Sequence, residues 1–297
     1  MNLGARHGIA VGIAVAALGA CTSPSADSTG PAPASPAPTA TSATASERVA
    51  TSGSETTELD EATVLGGRYT VEVVAIHPHD PDAYTQGLEL HDGLLLESTG
   101  RFGESSRRWV VPETGEIVGI EPLDDELFGE GITMVDDQIF QLTWTNGRVL
   151  LADGATLEQR SEIGHEGEGW GICHDGTALI MSNGSADLTI RDPETFVVRS
   201  TIPVTNQGAS VPRLNELECR AGQVLANVYG SDEIVVIDPK TGLVVATIDA
   251  GDLRPSDLPI DDLDFALNGI AHDRNTGTLY LTGKLWPVLY EVRLVAG

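Results

Sequence analysis

The sequence predicts an all-β fold: a five-bladed β-propeller whose N-terminal strand completes the last blade. Three observations lead to it: short alternating apolar runs, turn signals between them, and a repeat of the resulting unit. The turns are His91-Asp92-Gly93, Asp153-Gly154, Asp175-Gly176, Pro239-Lys240-Thr241-Gly242 and Asn275-Thr276-Gly277, and long helical periodicity is missing. Laid over each other, the runs expose five related openings: Gln86-Gly87-Leu88, Glu130-Gly131-Ile132, Trp170-Gly171-Ile172, Asn215-Glu216-Leu217 and Asn268-Gly269-Ile270. Recurrence roughly every 45 residues, with about four strands per unit, marks a propeller. A pair of β-sandwiches would leave the repeat unexplained.

Along the chain, Arg6 and His7 precede an apolar run from Ile9 to Leu18, which is short for a bilayer span and suits a secretory signal. The run ends in Leu18-Gly19-Ala20-Cys21, which resembles a bacterial lipobox. Residues 1–20 are therefore expected to be a lipoprotein signal peptide and Cys21 the lipidated residue; simple cleavage is the plain alternative. Residues 21–67 are dominated by Ser, Thr, Ala and Pro and bury too little to offset their ordering entropy, so they read as a disordered tether. The expected location is the outer face of the cytoplasmic membrane, with the lipid as the only membrane contact.

The propeller domain then spans 68–297. Tyr69–Ala75 has no unit of its own, while the last unit, Gly269 to Val295, lacks its outermost strand. The N-terminal strand is expected to fill that place and remove an exposed edge. The acidic stretch Asp257 to Asp264 reads as a solvated insertion before the last unit, with Ca²⁺ binding as the alternative.

Inner strands of a propeller border its channel, so the openings should converge near the axis. They supply Gln86, Glu130, Glu168, Trp170, Asn215, Glu216 and Asn268, with Trp144 and Tyr229 at the ends of the following strands. Glu130, enclosed by Phe128, Trp144 and Trp170, is the candidate acid/base, because desolvation raises a carboxyl pKa toward the working pH. Its plain alternative is a channel residue that ties blades together. Lys284 lies in an otherwise apolar stretch and could oppose charge on a substrate oxygen. Gln86 and Asn215 offer neutral amides. Cys173 and Cys219 follow adjacent openings, and a disulfide between them is plausible in an exported protein.

The motifs Tyr84-Thr85-Gln86-Gly87, Phe128-Gly129-Glu130-Gly131, Gln141-Leu142-Thr143-Trp144, Glu168-Gly169-Trp170-Gly171, Leu214-Asn215-Glu216-Leu217-Glu218, Asn268-Gly269-Ile270-Ala271 and Thr282-Gly283-Lys284-Leu285-Trp286-Pro287 resemble, in order, the plant and bacterial glutaminyl-peptide cyclotransferase family. The resemblance implies ring closure of an N-terminal glutaminyl residue to pyroglutamyl with release of ammonia. It implies Glu130 and Lys284 as catalytic residues, and Tyr84, Gln86, Phe128, Trp144, Trp170, Asn215 and Tyr229 as the substrate pocket. Tyr84 and Tyr229 depart from the family, which usually has phenylalanine and tryptophan there; both changes keep an aromatic face.

No metal or cofactor is expected, since the seven His are scattered without ligand spacing. The 17 Lys+Arg against 44 Asp+Glu give a net charge of -27, which argues against nucleic acid as a partner. The expected partner is a peptide or protein with N-terminal Gln, met by a monomer. Two rivals keep the fold and change the function: a non-catalytic peptide-binding propeller, and a metal-dependent propeller hydrolase or lactonase.

Overall fold

The structure, a computed structural model, describes residues 64–259 and 261–297. The expected signal peptide 1–20, the lipidated Cys21 and the tether up to residue 63 lie outside the described residues. Leu65, ahead of the boundary expected at residue 68, already belongs to the folded domain. It is buried, and its backbone N–H and C=O bond the Gln223 side chain at 2.7 and 2.9 Å.

The described chain is all-β, with two short 3-10 turns at Gly251–Leu253 and Leu263–Phe265. Strand β1 (Gly67–Pro78) is followed by three four-stranded antiparallel sheets. The first is β2–β5 (Thr85–His91, Leu94–Thr99, Ser106–Val110, Ile117–Pro122) and the second β6–β9 (Gly129–Val135, Gln138–Thr143, Arg148–Asp153, Gln159–Gly164). The third is β10–β13 (Ile172–His174, Leu179–Met181, Asp187–Arg191, Val198–Pro203). After a small hairpin, β14 (Thr205–Asn206) and β15 (Ala209–Ser210), come β16–β19 (Leu214–Arg220, Gln223–Val228, Glu233–Asp238, Leu243–Asp249) and β20–β22 (Leu267–His272, Leu279–Gly283, Val288–Ala296).

The hairpins follow from their turn residues. Asp92 and Gly93, and likewise Ala221 and Gly222, all take positive φ, as the two-residue turns that match strand twist require. Burial falls from inner to outer strand: every residue of β16 and β20 is buried, whereas β5 and β13 are exposed at most positions. An inner strand is flanked by neighbours on both faces, and polar residues there are buried with the apolar ones. β2 packs on β6, β6 on β10, β10 on β16, β16 on β20, and β20 returns to β2.

β1 pairs antiparallel with β22 from Tyr69↔Ala296 to Pro78↔Val288, so the N-terminal strand supplies the missing outer strand of the last unit. Its first residues also pair in parallel with β19, from Gly67↔Ala246 to Thr70↔Asp249. That second pairing, which the repeat does not announce, splices the last two units into one ten-stranded sheet. Beneath it Leu225, Ile234, Val236, Leu267, Ile270 and Trp286 form a shared core. Cys173 of β10 and Cys219 of β16 are joined in a disulfide, with Cα atoms 5.5 Å apart.

Candidate active site

The inner strands begin at one mouth of the ring, and there they enclose a cavity of about 200 Å³. All nine residues singled out for catalysis or substrate binding line it. Its wall is aromatic. Phe128 meets Tyr84 and Trp144 edge to face, with centroids 6.0 and 5.6 Å apart, and Trp170 meets Tyr229 at 5.8 Å. Both indole N–H groups, of Trp144 and Trp170, donate to Oε2 of Glu168 at 2.9 Å. One exposed carboxylate thus fixes two walls and sits at the rim.

The floor is polar and buried. Lys284, Gln86 and Glu130 are 1%, 4% and 4% exposed, so all three are held away from bulk water. Lys284 Nζ donates to Gln86 Oε1, and Gln86 Nε2 donates to Glu130 Oε1 at 3.0 Å. The amide therefore turns its oxygen to the cation and its nitrogen to the carboxylate, the only orientation that satisfies both. Asn268, from the last inner strand, steadies this chain by donating Nδ2 to Thr85 O at 3.0 Å and to Gln86 Oε1 at 3.4 Å. Asn215 lines the same cavity, and its Oδ1 has no hydrogen-bond partner among the described residues.

Burial sets the titration of the floor. It pushes the Glu130 carboxyl well above the usual carboxylate range; Lys284 pulls it back down, and Glu168 adds to the rise. Burial also lowers Lys284, to about 8, against the opposing pull of Glu130, Asp264 and Glu216. Two groups that are ordinarily far apart in pKa are thereby brought toward neutrality, the condition for proton transfer at physiological pH.

Several participants were not legible as site residues. Asp264 belongs to the acidic stretch read as a solvated insertion, yet the Tyr84 hydroxyl donates to its Oδ1 at 3.0 Å. Arg101 stacks 4.7 Å from the Tyr84 ring centre and reaches Asp264 at 3.7 Å. As expected, the stretch is exposed at Asp257, Asp261, Asp262 and Asp264, and the chain is pinned beside the cavity just after it: Lys284 N donates to Ala266 O and Trp286 Nε1 to Phe265 O, each at 2.9 Å. Gly100 offered a signal, since a Cβ there would lie 2.3 Å from Phe128 Cε1 and 3.0 Å from Gln86 Cγ. Only glycine lets those two residues line the pocket. Among the described residues no group of three or more His, Cys, Asp or Glu is arranged to hold a metal ion.

Comparison with known proteins gives the family. The chain is similar to a glutaminyl-peptide cyclotransferase of Arabidopsis thaliana, 40% identical over 232 residues, which cover 75% of this chain and 71% of the relative. It is similar in structure to the crystallised glutaminyl cyclase of Myxococcus xanthus, with a TM-score of 0.73 and 34% identity over 78% of this chain and 100% of the other. The glutamine cyclotransferase family model matches residues 41–294, and the chain belongs to that family.

Proposed function

We propose that this chain is an enzyme that cyclises the N-terminal glutaminyl residue of peptides or proteins, releasing ammonia, through Glu130 and Lys284. The observation that carries the reading is the buried Lys284–Gln86–Glu130 chain at the floor of an aromatic cavity. The α-nitrogen attacks the γ-carboxamide carbon; a C–N bond forms to close the ring, and the bond to the carboxamide nitrogen breaks. Glu130 takes the proton from the attacking amine and returns it to the departing nitrogen, so the carboxylate is regenerated. Lys284 opposes the charge that grows on the carboxamide oxygen. Asn215 Oδ1 is an acceptor for a substrate N–H, and the aromatic walls fold the glutaminyl side chain back on its own amine.

The architecture behind it is read as a five-bladed propeller, supported by the five inner strands packed in a ring. Anchoring through Cys21 to the outer face of the cytoplasmic membrane is supported by the lipobox-like sequence. The protein is expected to act as a monomer, each inner strand finding its neighbours within one chain.

The test is ammonia release from a short glutaminyl peptide, with and without chelator, by wild-type protein and Glu130→Gln. Loss of a shuttling carboxylate should lower kcat about 10²- to 10⁴-fold while leaving the fold intact. Peptide binding without ammonia would favour a non-catalytic binder, and release lost on chelation would favour a metal-dependent hydrolase.

A further inference from the structure

Four of the five inner-strand openings place glycine second: Gly87, Gly131, Gly171 and Gly269; the fourth opening has Glu216 there. The reason for glycine is close approach of backbones. A Cβ on Gly87 would lie 2.6 Å from Ile132 N, on Gly131 2.7 Å from Gly171 Cα, and on Gly171 2.0 Å from Asn215 O. Along β2, β6, β10 and β16, therefore, the ring closes with no room for a side chain. The remaining arc, from β16 past β20 and back to β2, is bridged differently. Glu216, 1% exposed, accepts the Ile270 amide of β20 at 3.0 Å and also the Leu88 amide of β2.

We propose that Glu216 is a positioning residue for the cyclisation, a strut that fixes β2 and β20 two residues along from Gln86 and Asn268. Those two amides hold the acid–cation pair: Gln86 contacts both Glu130 and Lys284, and Asn268 contacts Gln86. A shift of either strand moves the shuttle relative to the substrate, and about 1 Å of misplacement can cost on the order of 100-fold in rate. Gly269 N bonding Asn227 Oδ1 at 3.1 Å holds β20 to β17 but not to β2. Asn268 Nδ2 joins β20 to β2 at Thr85 O, and Glu216 is the side chain that ties β16 to both of those strands.

The proposal rests on the cyclisation reading, so its test carries one arm that does not depend on activity. Full-length wild type, Glu216→Gln, Glu216→Asp and Glu216→Ala would be compared by kcat and KM for a glutaminyl peptide, thermal midpoint, and amide hydrogen exchange at Leu88 and Ile270. Glu216→Ala is expected to lose about tenfold or more in kcat with KM within about twofold, and to exchange both amides faster. Glu216→Gln keeps the length and one acceptor, and should recover kcat to within about threefold of wild type. If Glu216→Ala does not fold, Glu216→Asp decides the matter, because its carboxylate falls one methylene short of the amides and should show the same kcat loss. A folded Ala or Asp variant with kcat within about twofold of wild type overturns the proposal, as does a loss that only tracks the fraction of folded protein. Wild type that releases no ammonia overturns the cyclisation reading, while the exchange arm still reports the strut.

Discussion

Lys284 sets an upper limit on the pH at which the site can work. Burial takes its pKa down from 10.5, and Glu130, Asp264 and Glu216 hold it up only to about 8. The cation is the form that opposes charge on the carboxamide oxygen, so activity is lost as pH rises through that value. The substrate amine works in the opposite sense, since it must be neutral to attack and its own pKa is about 7.7–8.0. Together the limbs make kcat/KM a bell centred near pH 8, falling about tenfold per unit once either group is a unit out of range. The nearby phenols cannot supply the alkaline limb, because burial pushes both Tyr84 and Tyr229 above the ordinary tyrosine value. Lys284→Arg puts in a guanidinium that stays charged throughout; whatever its kcat, the alkaline limb should disappear. A direct check is available because Lys240 and Lys284 are the chain's two lysines. With ¹⁵N-labelled lysine, the side-chain signal that survives Lys240→Arg should titrate near pH 8. A wild-type profile flat to pH 10, an unchanged limb in Lys284→Arg, or a Lys284 signal that titrates at the ordinary lysine value would refute this assignment.

Acid stability should depend on Glu97. Burial would raise its carboxyl, but Arg108 and His79 hold it at about 2, below the ordinary 4.5, so its contribution is present above pH 4.5 and lost as pH falls toward 2. On the order of 3 kcal/mol is at stake, and thermal midpoints measured from pH 6 down to 2 should fall less steeply in Glu97→Gln than in wild type; parallel curves would refute it. The Cys173–Cys219 bridge closes a loop of sequence separation 46, worth about 4 kcal/mol on a chain-entropy account. The double serine variant should therefore melt lower than wild type in oxidising buffer, and the two should converge under reductant. Glu168 is an exposed rim carboxylate held by two neutral indole N–H groups, so glutaminyl peptides followed by lysine should show a KM about two- to fivefold below those followed by glutamate at low salt. That difference should vanish in high salt, and its persistence there would point to shape rather than charge.

The site was legible because a ring of repeats puts chemistry at one repeated position. Gln86, Glu130, Trp170 and Asn215 share an address in their units, and the fold carries that shared address to one mouth. The pairing of β1 with β22 could be read from a strand without a unit and a unit without a strand. Its further parallel pairing with β19 could not, since β19 already had its partner in β18. Asp264 was hidden because its contact with Tyr84 spans 180 residues and rests on no motif. Leu65 was hidden as a single apolar residue at the end of a polar run. Nothing in the sequence marks Glu97 of β3 or the adjacent Arg107 and Arg108 of β4 as interior charges, yet all three are buried, because those strands are covered on both faces.

Two fully enclosed glutamates of the first two units show what the site needs. Glu97 meets its cations directly: Arg108 Nε at 2.9 Å and His79 Nε2 at 3.1 Å, with the Thr85 hydroxyl at 2.7 Å. Those contacts overcome burial and fix it as a carboxylate; it can hold strands together but cannot exchange a proton near neutrality. Glu130 is buried as deeply, but the amide of Gln86 stands between it and Lys284. A neutral spacer weakens the attraction enough for desolvation to win, so the carboxyl stays raised while Lys284 stays low enough to feel its neighbours. Had the lysine closed on Glu130 as Arg108 closes on Glu97, the pair would be a structural ion pair with no proton to move. Gln86 is therefore as necessary to the chemistry as the two charged groups it separates: it keeps them close enough to act on one substrate and far enough apart to titrate.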